Sequence, residues 1–302
     1  MAADAAAMPA ETPGSGRGLV LVAASALLWS SGGLIVRLLD SADSWTTIFW
    51  RSASACLFLL GFLALRDGRA APALFRRMGA PGLVVAAGFA CASISFVVAL
   101  SLTSVAETLM IMSSAPLIAA LLGRAVLGEP ISPATWLTIA AVMLGIALIA
   151  ADALEHGSLL GDAFALASAC GYSAAIVAIR RHPQVRMTPA VCTGAACAML
   201  IALPFATPLA VTAHDAPLLA LFGAGQLGLG LALFVTGARL IPAAHSALIG
   251  LLEPVLGPVW VWLAFAERPT ALALVGGTIV IAGVTANTVH GLRRRKRRLP
   301  AG

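Results

Sequence analysis

The stretch AETLMIMSSAPLIAALLGRAVLGE, from Ala106 to Glu129, has a counterpart 138 positions later in the chain, AHSALIGLLEPVLGPVWVWLAFAE from Ala244 to Glu267. The same offset relates Pro116 in the first stretch to Pro254 in the second, and it holds across much of each half. A fixed internal offset indicates a duplicated unit, so the fold of the whole chain follows from the fold of one unit.

The composition is that of a membrane protein. Of the 302 residues, 60% are hydrophobic and only 11% are charged, against roughly 45–50% and about 25% in soluble domains. Ten apolar segments have close to the 20 or so residues that a helix needs to cross the hydrocarbon core. They lie at residues 18–39, 45–65, 80–100, 105–127, 133–151, 159–180, 188–209, 216–238, 241–265 and 270–290. The sequence therefore predicts an all-α integral membrane protein with ten transmembrane helices.

Basic residues set the orientation, because cytoplasmic loops retain arginine and lysine. With the amino terminus inside, the cytoplasmic side holds most of the basic residues, and the outer loops hold only Arg268. Both termini are therefore predicted to be cytoplasmic. Since each unit contains five spans, the second unit at 159–290 enters the membrane in the opposite direction to the first at 18–151. The two five-helix repeats are thus predicted to be inverted.

The two tails differ from the spans in composition. Residues 1–17 lack the basic segment of a secretory signal and are expected to form a disordered cytoplasmic tail. Residues 291–302 form a basic cytoplasmic tail, in which the run from Arg293 to Arg298 is expected to bind anionic lipid and not nucleic acid. Lys296 is the only lysine among 19 basic residues, a bias that favours a bacterial inner membrane.

The length, the ten spans, the LLWS stretch at 27–30, an arginine in the second span and the two Pro-to-Glu blocks together resemble the EamA family of the drug/metabolite transporter superfamily. The resemblance covers nearly the whole chain. It implies a substrate cavity between the two halves, lined mainly by the first four helices of each repeat, and transport of small metabolites. It does not imply a particular substrate, because the superfamily handles many.

Glu253 is the most informative side chain for the site. It lies about twelve residues into the ninth span, near mid-membrane, where insertion of an acidic residue costs roughly 2.5–3.5 kcal/mol. We expect it to bind substrate or carry a proton, with a purely structural role as the alternative. Pro254 and Pro258 should free backbone carbonyls one turn back, which is typical of the broken helices at transporter sites. The alternative is an ordinary proline kink.

A second group of charges is predicted in the outer half of the bilayer. Arg51 lies inside the second span and Glu107 opens the fourth, so we predict that they pair or share a network. The pair would act as an outer gate, or Arg51 would anchor a substrate carboxylate. Arg37 is expected to extend to the interface. Glu129 and Glu267, which end their helices, are expected to cap a helix or serve as hinges.

Several polar and aromatic side chains are predicted to line the site. Gln226 is the one strong amide in the middle of a span, with a contact between helices as the alternative to a place in the cavity. Its GAGQLG stretch lacks the βαβ context of a dinucleotide fingerprint. Trp29, Ser30 and Tyr172 occupy repeat-related positions. Packing or a place in the interfacial belt is the alternative for the two aromatic residues. His245 is a candidate for coupling, with a structural role as the alternative. The five cysteines lie in apolar runs and are interpreted as small hydrophobic residues.

These observations favour a secondary transporter that moves a small polar metabolite by alternating access. The substrate is expected to be an amino acid or a related zwitterion or anion, and export is the expected direction. The alternatives are an intramembrane enzyme and a non-transporting receptor or scaffold. The sequence lacks H-E-x-x-H, G-x-S-x-G and a pair of mid-membrane aspartates, so no enzymatic activity, metal or cofactor is predicted. The protein is expected to be a monomer or a homodimer.

Overall fold

The computed structural model describes residues 15–40, 43–128, 131, 133–156, 159–182, 184–237, 240, 249–250 and 252–298. Every regular element within these ranges is helical, which confirms the all-α prediction. His245 and Glu129 lie outside the described residues, as does most of the amino-terminal tail.

The described residues form fourteen α-helices, α1 to α14 in chain order. They are α1 (Ser15–Ser30), α2 (Gly32–Leu38), α3 (Ser44–Asp67), α4 (Ala71–Arg77), α5 (Gly79–Leu102), α6 (Val105–Met112), α7 (Ala115–Leu127), α8 (Pro133–His156), α9 (Leu159–Arg181), α10 (Thr188–Ala202), α11 (Asp215–Ala220), α12 (Gly230–Gly237), α13 (Leu252–Phe265) and α14 (Ala271–Arg298). A π-helix, Leu221–Leu229, joins α11 to α12. Short 3-10 turns lie at Gly68–Ala70 and Pro208–Ala210.

Six helical segments within the described ranges are long and apolar enough to cross a membrane. They are Gly16–Leu38, Ser44–Arg77, Gly79–Leu102, Val105–Leu127, Leu159–Arg181 and Asp215–Phe234. Four shorter apolar helices fall where the remaining spans are predicted: Pro133–Leu148, Thr188–Ala202, Leu252–Phe265 and Leu274–Ala286. The membrane-spanning character is therefore confirmed, while the count of ten spans stays a prediction.

Serines interrupt two of the long segments. Between α6 and α7, the hydroxyl of Ser113 donates to the carbonyl of Leu109 at 2.8 Å, and that of Ser114 donates to Ile111 at 2.7 Å. Serine hydroxyls that bond back to the preceding turn tend to bend helices. Pro116 then occupies the first turn of α7, where a missing N–H costs nothing. The predicted fourth span is thus two helices joined at a bend.

The helices of the two repeats interleave. Helix α5 packs against α9 and α10, α3 packs against α10 and the π-helix, and α1 packs against α12 and α13. Glycines allow the closest of these contacts: a Cβ added to Gly88 would lie 2.7 Å from the carbonyl oxygen of Gly171, and one added to Gly171 would lie 2.8 Å from that of Gly88. Small residues at such crossings let helix backbones touch.

One apolar cluster joins both repeats on the predicted outer side. Most of its buried residues come from the first repeat, and three come from the second: Ala202, Phe222 and Val261. The members from the first repeat are Ile35, Ile48, Phe96, Val97, Leu100, Val105 and Leu109. All of these residues are less than one-tenth exposed. The cluster therefore closes the space between the repeats at this level.

Candidate functional site

Arg51 occupies the centre of the candidate site. The residue is only 4% exposed, and its Nη1 donates to the Oγ of Ser93 at 2.7 Å. Its Nη2 donates to the Oε1 of Gln226 at 3.4 Å. The guanidinium carbon lies 4.5 Å from the ring centre of Phe222 and 5.5 Å from that of Phe96. The buried Nε has no hydrogen-bond partner among the described residues.

The π-helix positions Gln226. π-helical turns are rare and occur often at functional sites, and this one is rich in glycine. Gly223 lies against the backbone of α3 at Arg51, so no side chain separates the two helices there. The Nε2 of Gln226 donates to the carbonyl oxygen of Trp29 at 3.1 Å. Gln226 thereby links α1 of the first repeat to Arg51 on α3.

An aromatic and hydroxyl lining adjoins Gln226. The indole of Trp29 stacks on Phe234 with ring centres 5.2 Å apart, and its Nε1 has no partner in the described part of the chain. The Oγ of Ser30 accepts a hydrogen bond from the Nε1 of Trp260 at 3.0 Å. Trp260 is absent from the sequence-based site, yet it follows Glu253 by seven residues and so lies on the same helix face.

Glu253 and Tyr172 complete the group. Both side chains are half-buried, and the carboxylate of Glu253 interacts electrostatically with Arg51 and with Tyr172. No hydrogen bond or ion pair joins Glu253 to another residue of the described ranges. The ring of Tyr172 meets Phe89 edge-on at 6.0 Å. The structure therefore gathers the predicted Arg51, Gln226, Glu253, Trp29, Ser30 and Tyr172 into one region that draws on both repeats.

Glu107 does not belong to this group, and the predicted pair with Arg51 is wrong. Glu107 forms a capping box with Ser104 at the start of α6, and it accepts a hydrogen bond from the hydroxyl of Thr103. That hydroxyl also lies 3.4 Å from the Oδ1 of Asp162. The carboxylate of Glu107 therefore accepts its hydrogen bonds from residues at the start of its own helix. Arg51 instead bonds to neutral groups on α5 and the π-helix.

The ion pair on the predicted outer side joins Arg37 to Glu267 instead. The Nε of Arg37 lies 2.9 Å from the Oε2 of Glu267, and the Nη2 lies 3.3 Å from its Oε1. Arg37 also donates to the carbonyl oxygens of Leu100 at 3.0 Å and Thr103 at 3.2 Å. The Oε1 of Glu267 accepts from the backbone N–H of Val105 at 3.4 Å. Arg37 was expected to extend to the interface, but it ties α2, α5, α6 and the end of α13 together.

Of the two prolines of the ninth span, Pro258 lies near this ion pair. Helix α13 runs through Pro258 without a break within the described residues, and Pro254 is buried near its start. A small cavity of about 10 Å³ is lined by Pro258, Val261 and Glu267 together with the first turn of α6. Helix α13 is therefore continuous from Leu252 to Phe265. Residue 251 and residues 241–248 of the ninth span lie outside the described residues, so the predicted break near Gly250 stays a prediction.

Two polar clusters at helix starts were missing from the sequence-based site. Asp43 caps α3 by accepting from the N–H groups of Trp45 at 2.8 Å and Thr46 at 3.0 Å. Although burial raises its pKa, hydrogen bonds from Thr46, Trp45 and Thr207 together hold the pKa of Asp43 below its usual value. At the start of α11, the ligand-type atoms of Asp40, His214 and Asp215 lie within 4.8 Å of one another.

Comparison with known proteins bears on the whole chain. The family model described as EamA-like transporter family matches residues 16–151 and again 159–289. No curated protein matches the chain. A solved structure described only as "Crystal structure of protein" superposes with a TM-score of 0.65 over 91% of this chain and 98% of that chain, at 19% sequence identity. At this level of identity, the likeness concerns the fold alone.

Proposed function

Because the chain belongs to the EamA-like transporter family, we propose that it is a secondary transporter that moves a small polar metabolite across the cytoplasmic membrane. Two matches of one family model, one in each half of the chain, support a duplicated architecture. The proposed arrangement is ten spans in two inverted five-helix repeats with both termini in the cytoplasm. Inverted repeats of this kind change access by moving one repeat against the other around a central site.

The site between the repeats favours a zwitterion or an anion as the substrate. Arg51 comes from the first repeat and Glu253 from the second, and the two interact without bonding to each other. The free Nε of Arg51 would bind a substrate carboxylate, and Glu253 would bind a substrate ammonium group or carry a proton. Charges within a membrane domain are costly and occur mainly where they serve a site. This opposed pair of charges is the observation that carries the proposal.

Neighbouring side chains would shape the rest of the site. Gln226 holds Arg51 in place, and the indole Nε1 of Trp29 is a further free donor. Tyr172 and Ser30 supply hydroxyl groups next to these residues. An amino acid or a related metabolite has a carboxylate, an ammonium and an apolar side chain, which matches this mixture of groups.

The outer contacts support alternating access. The Arg37–Glu267 ion pair and the apolar cluster around Phe222 close the predicted outer side of the site. Export would therefore require this ion pair to open after the substrate enters from the cytoplasm. Pro254 and Pro258 would let α13 flex during this step, and Glu107 would hold the start of α6 in register. His245 is proposed for coupling by its sequence position alone.

The carboxyl-terminal helix is proposed to contact lipid. Helix α14 continues from the apolar segment through Arg293 to Arg298. Clusters of basic residues directly cytoplasmic of a span attract anionic headgroups by about 1 kcal/mol per charge near the surface. Anionic lipid should therefore stabilise the protein in its membrane.

The test is transport by purified protein in liposomes. Counterflow of labelled amino acids and related metabolites should occur with the wild type and should be lost with Arg51→Ala and Glu253→Gln. Arg66→Ala removes an exposed arginine from the same helix as Arg51 and should leave counterflow unchanged. If Arg51→Ala and Glu253→Gln transported as well as the wild type, the proposed site would be wrong.

A further inference from the structure

Two cysteines from different repeats lie in contact. The sulfur of Cys56, halfway along α3, is 3.7 Å from the sulfur of Cys192 in the second turn of α10. The sulfur of Cys192 is also 3.8 Å from the carbonyl oxygen of Cys56. The side chain of Cys192 therefore projects directly onto the backbone of the partner helix. The interpretation of the cysteines as small hydrophobic residues does not predict this contact.

The surroundings of this thiol pair are apolar. Cys192 is packed in a cluster with Leu59 and Leu63, and Phe58 and Leu231 lie against it. No charged group and no metal-ligating partner besides the two sulfurs belongs to the cluster as described. The chemistry available to the pair is therefore that of thiols.

We propose that Cys56 and Cys192 form an oxidation-sensitive dithiol whose disulfide links the two repeats. A disulfide needs sulfurs about 2.05 Å apart and Cα atoms usually about 4.4–6.8 Å apart. Sulfurs already in van der Waals contact can reach that bond length by small side-chain rotations. Helices α3 and α10 pack along each other, and the sulfur of Cys192 already lies 3.8 Å from the backbone of Cys56, so the two cysteines are held close enough to meet.

The oxidant would be a hydroperoxide. The sulfur of one cysteine attacks the O–O bond and becomes a sulfenic acid, while hydrogen peroxide releases one water molecule. The second thiol then attacks the sulfenic sulfur, the S–S bond forms, and the hydroxyl group leaves as a second water molecule. Two thiols lose two electrons and two protons, and one peroxide is reduced to two waters.

The exposures of the two thiols assign their order. Cys56 is half-buried, whereas Cys192 is only 2% exposed. Cys56 should meet the peroxide first, because oxidation follows exposure as well as thiolate character. Cys192 would then act as the resolving cysteine.

The consequence for transport rests on the proposed function. If one repeat moves against the other during each cycle, a covalent bond between α3 and α10 restrains that movement. Oxidation would then stop transport, and reduction would restore it. The disulfide itself depends only on the contact between the two sulfurs, so it can be measured without a transport assay.

The test uses the full-length protein in native membranes. Cys91, Cys170 and Cys197 are first replaced by serine, so that only Cys56 and Cys192 remain. Membranes are treated with hydrogen peroxide, denatured and reacted with a polymer-linked maleimide that retards the protein on a gel. Two polymer groups should be added before peroxide treatment, none after it, and two again after dithiothreitol.

Variants with a single remaining thiol provide the controls. Adding Cys56→Ser to this background leaves the buried Cys192, which should still accept one polymer group after mild peroxide treatment. Adding Cys192→Ser leaves Cys56 without a resolving thiol, so peroxide should convert it to a sulfenic acid that reacts with dimedone. If both thiols of the parent protein stayed reactive, if the Cys56→Ser variant lost its remaining thiol equally fast, or if the oxidised parent protein reacted with dimedone, the dithiol would be disproved. Uptake by the parent protein should be lost with peroxide and regained with dithiothreitol, whereas uptake by single-thiol variants should persist. Disulfide formation with undiminished uptake would disprove the restraint on transport.

Discussion

At the scale of single residues, Arg51 shows how a charge is retained inside an apolar protein. Its Nη1 and Nη2 donate to Ser93 and Gln226, and the rings of Phe96 and Phe222 lie close to its guanidinium. Buried charges need partners of this kind, and a desolvated cation near a ring gains about 2 kcal/mol. These contacts fix the guanidinium while leaving its Nε free, as an anchor for a ligand requires.

Gln226 offers a direct test of that anchor. Gln226→Glu would place a carboxylate beside Arg51. The new carboxylate should form an ion pair with the guanidinium and so compete with a substrate carboxylate, which weakens substrate binding. We expect KM for an anionic or zwitterionic substrate to rise about tenfold, equivalent to about 1.4 kcal/mol, while the thermal midpoint stays close to that of the wild type. Counterflow at several substrate concentrations measures the change.

A second substitution separates binding from stability. Gln226→Leu removes the acceptor for the Nη2 of Arg51 and should lower the free energy of unfolding by about 1–3 kcal/mol. Thr236→Ala on α12, at an exposed position, is the control. It should alter neither KM nor the free energy of unfolding. An unchanged KM in Gln226→Glu would show that Arg51 does not contact substrate.

At the scale of elements, the contact between α5 and α9 depends on two glycines. A methyl group at Gly88 would collide with the carbonyl oxygen of Gly171, since 2.7 Å is too short for a carbon. Gly88→Ala should therefore lower the free energy of unfolding by about 1–3 kcal/mol, the usual cost of overpacking. Gly61→Ala on α3 is the control, because open space surrounds that position. A thermal midpoint for Gly88→Ala as high as that of Gly61→Ala would contradict the close packing.

The start of α3 should confer a dependence of stability on pH. The pKa of Asp43 is lower in the folded protein than its usual value, so the ionised side chain stabilises the fold above that usual value. The contribution is lost as the pH falls through the lowered pKa, because protonation removes acceptors from the amides of Trp45 and Thr46. Asp43→Asn should flatten the acid limb of stability against pH, measured by thermal unfolding. Equal acid limbs in both proteins would rule out this contribution.

The sequence was a good guide to the elements but not to the bends within them. Apolar length predicted helices at 18–39 and 105–127, and the structure has helices there. The breaks at Ser31 and at Ser113 depend on hydroxyl bonds to the preceding turn. Serine in a helix often leaves the helix straight, so composition alone does not reveal these bends.

At the scale of the whole molecule, the predicted outer side is closed by contacts between residues far apart in the chain. Depth in the membrane suggested that Arg51 would meet Glu107, since both lie in the outer half by sequence. Depth does not show which helices are neighbours, however, and α13 lies against α2 and α6. Glu267 therefore reaches Arg37, 230 positions away. The sequence singled out Gln226 and Glu253, by contrast, because polar side chains are rare within spans. Their role in binding stays a prediction.

Loss of the Arg37–Glu267 ion pair should make opening of the predicted outer side easier. Each side chain is about one-third exposed, so the pair contributes at most about 1 kcal/mol, or a factor of about five in the balance between closed and open forms. Glu267→Gln should shift that balance toward the open form. A reporter cysteine at Val105, which is 1% exposed beside the pair, should then react several times faster with a membrane-impermeant maleimide added outside intact cells.

Arg268 supplies the matched control for this measurement. Arg268→Gln removes the neighbouring exposed charge but leaves Arg37 and Glu267 paired, so the reporter at Val105 should react at the rate of the parent protein. Both variants are made in a background without the native cysteines, so that only the reporter is labelled. If the reporter cysteine reacted with maleimide at equal rates in Glu267→Gln and Arg268→Gln, the Arg37–Glu267 pair would have no influence on access to the site from outside. Faster labelling in Glu267→Gln alone would mean that opening the outer side begins with the separation of α2 from the end of α13.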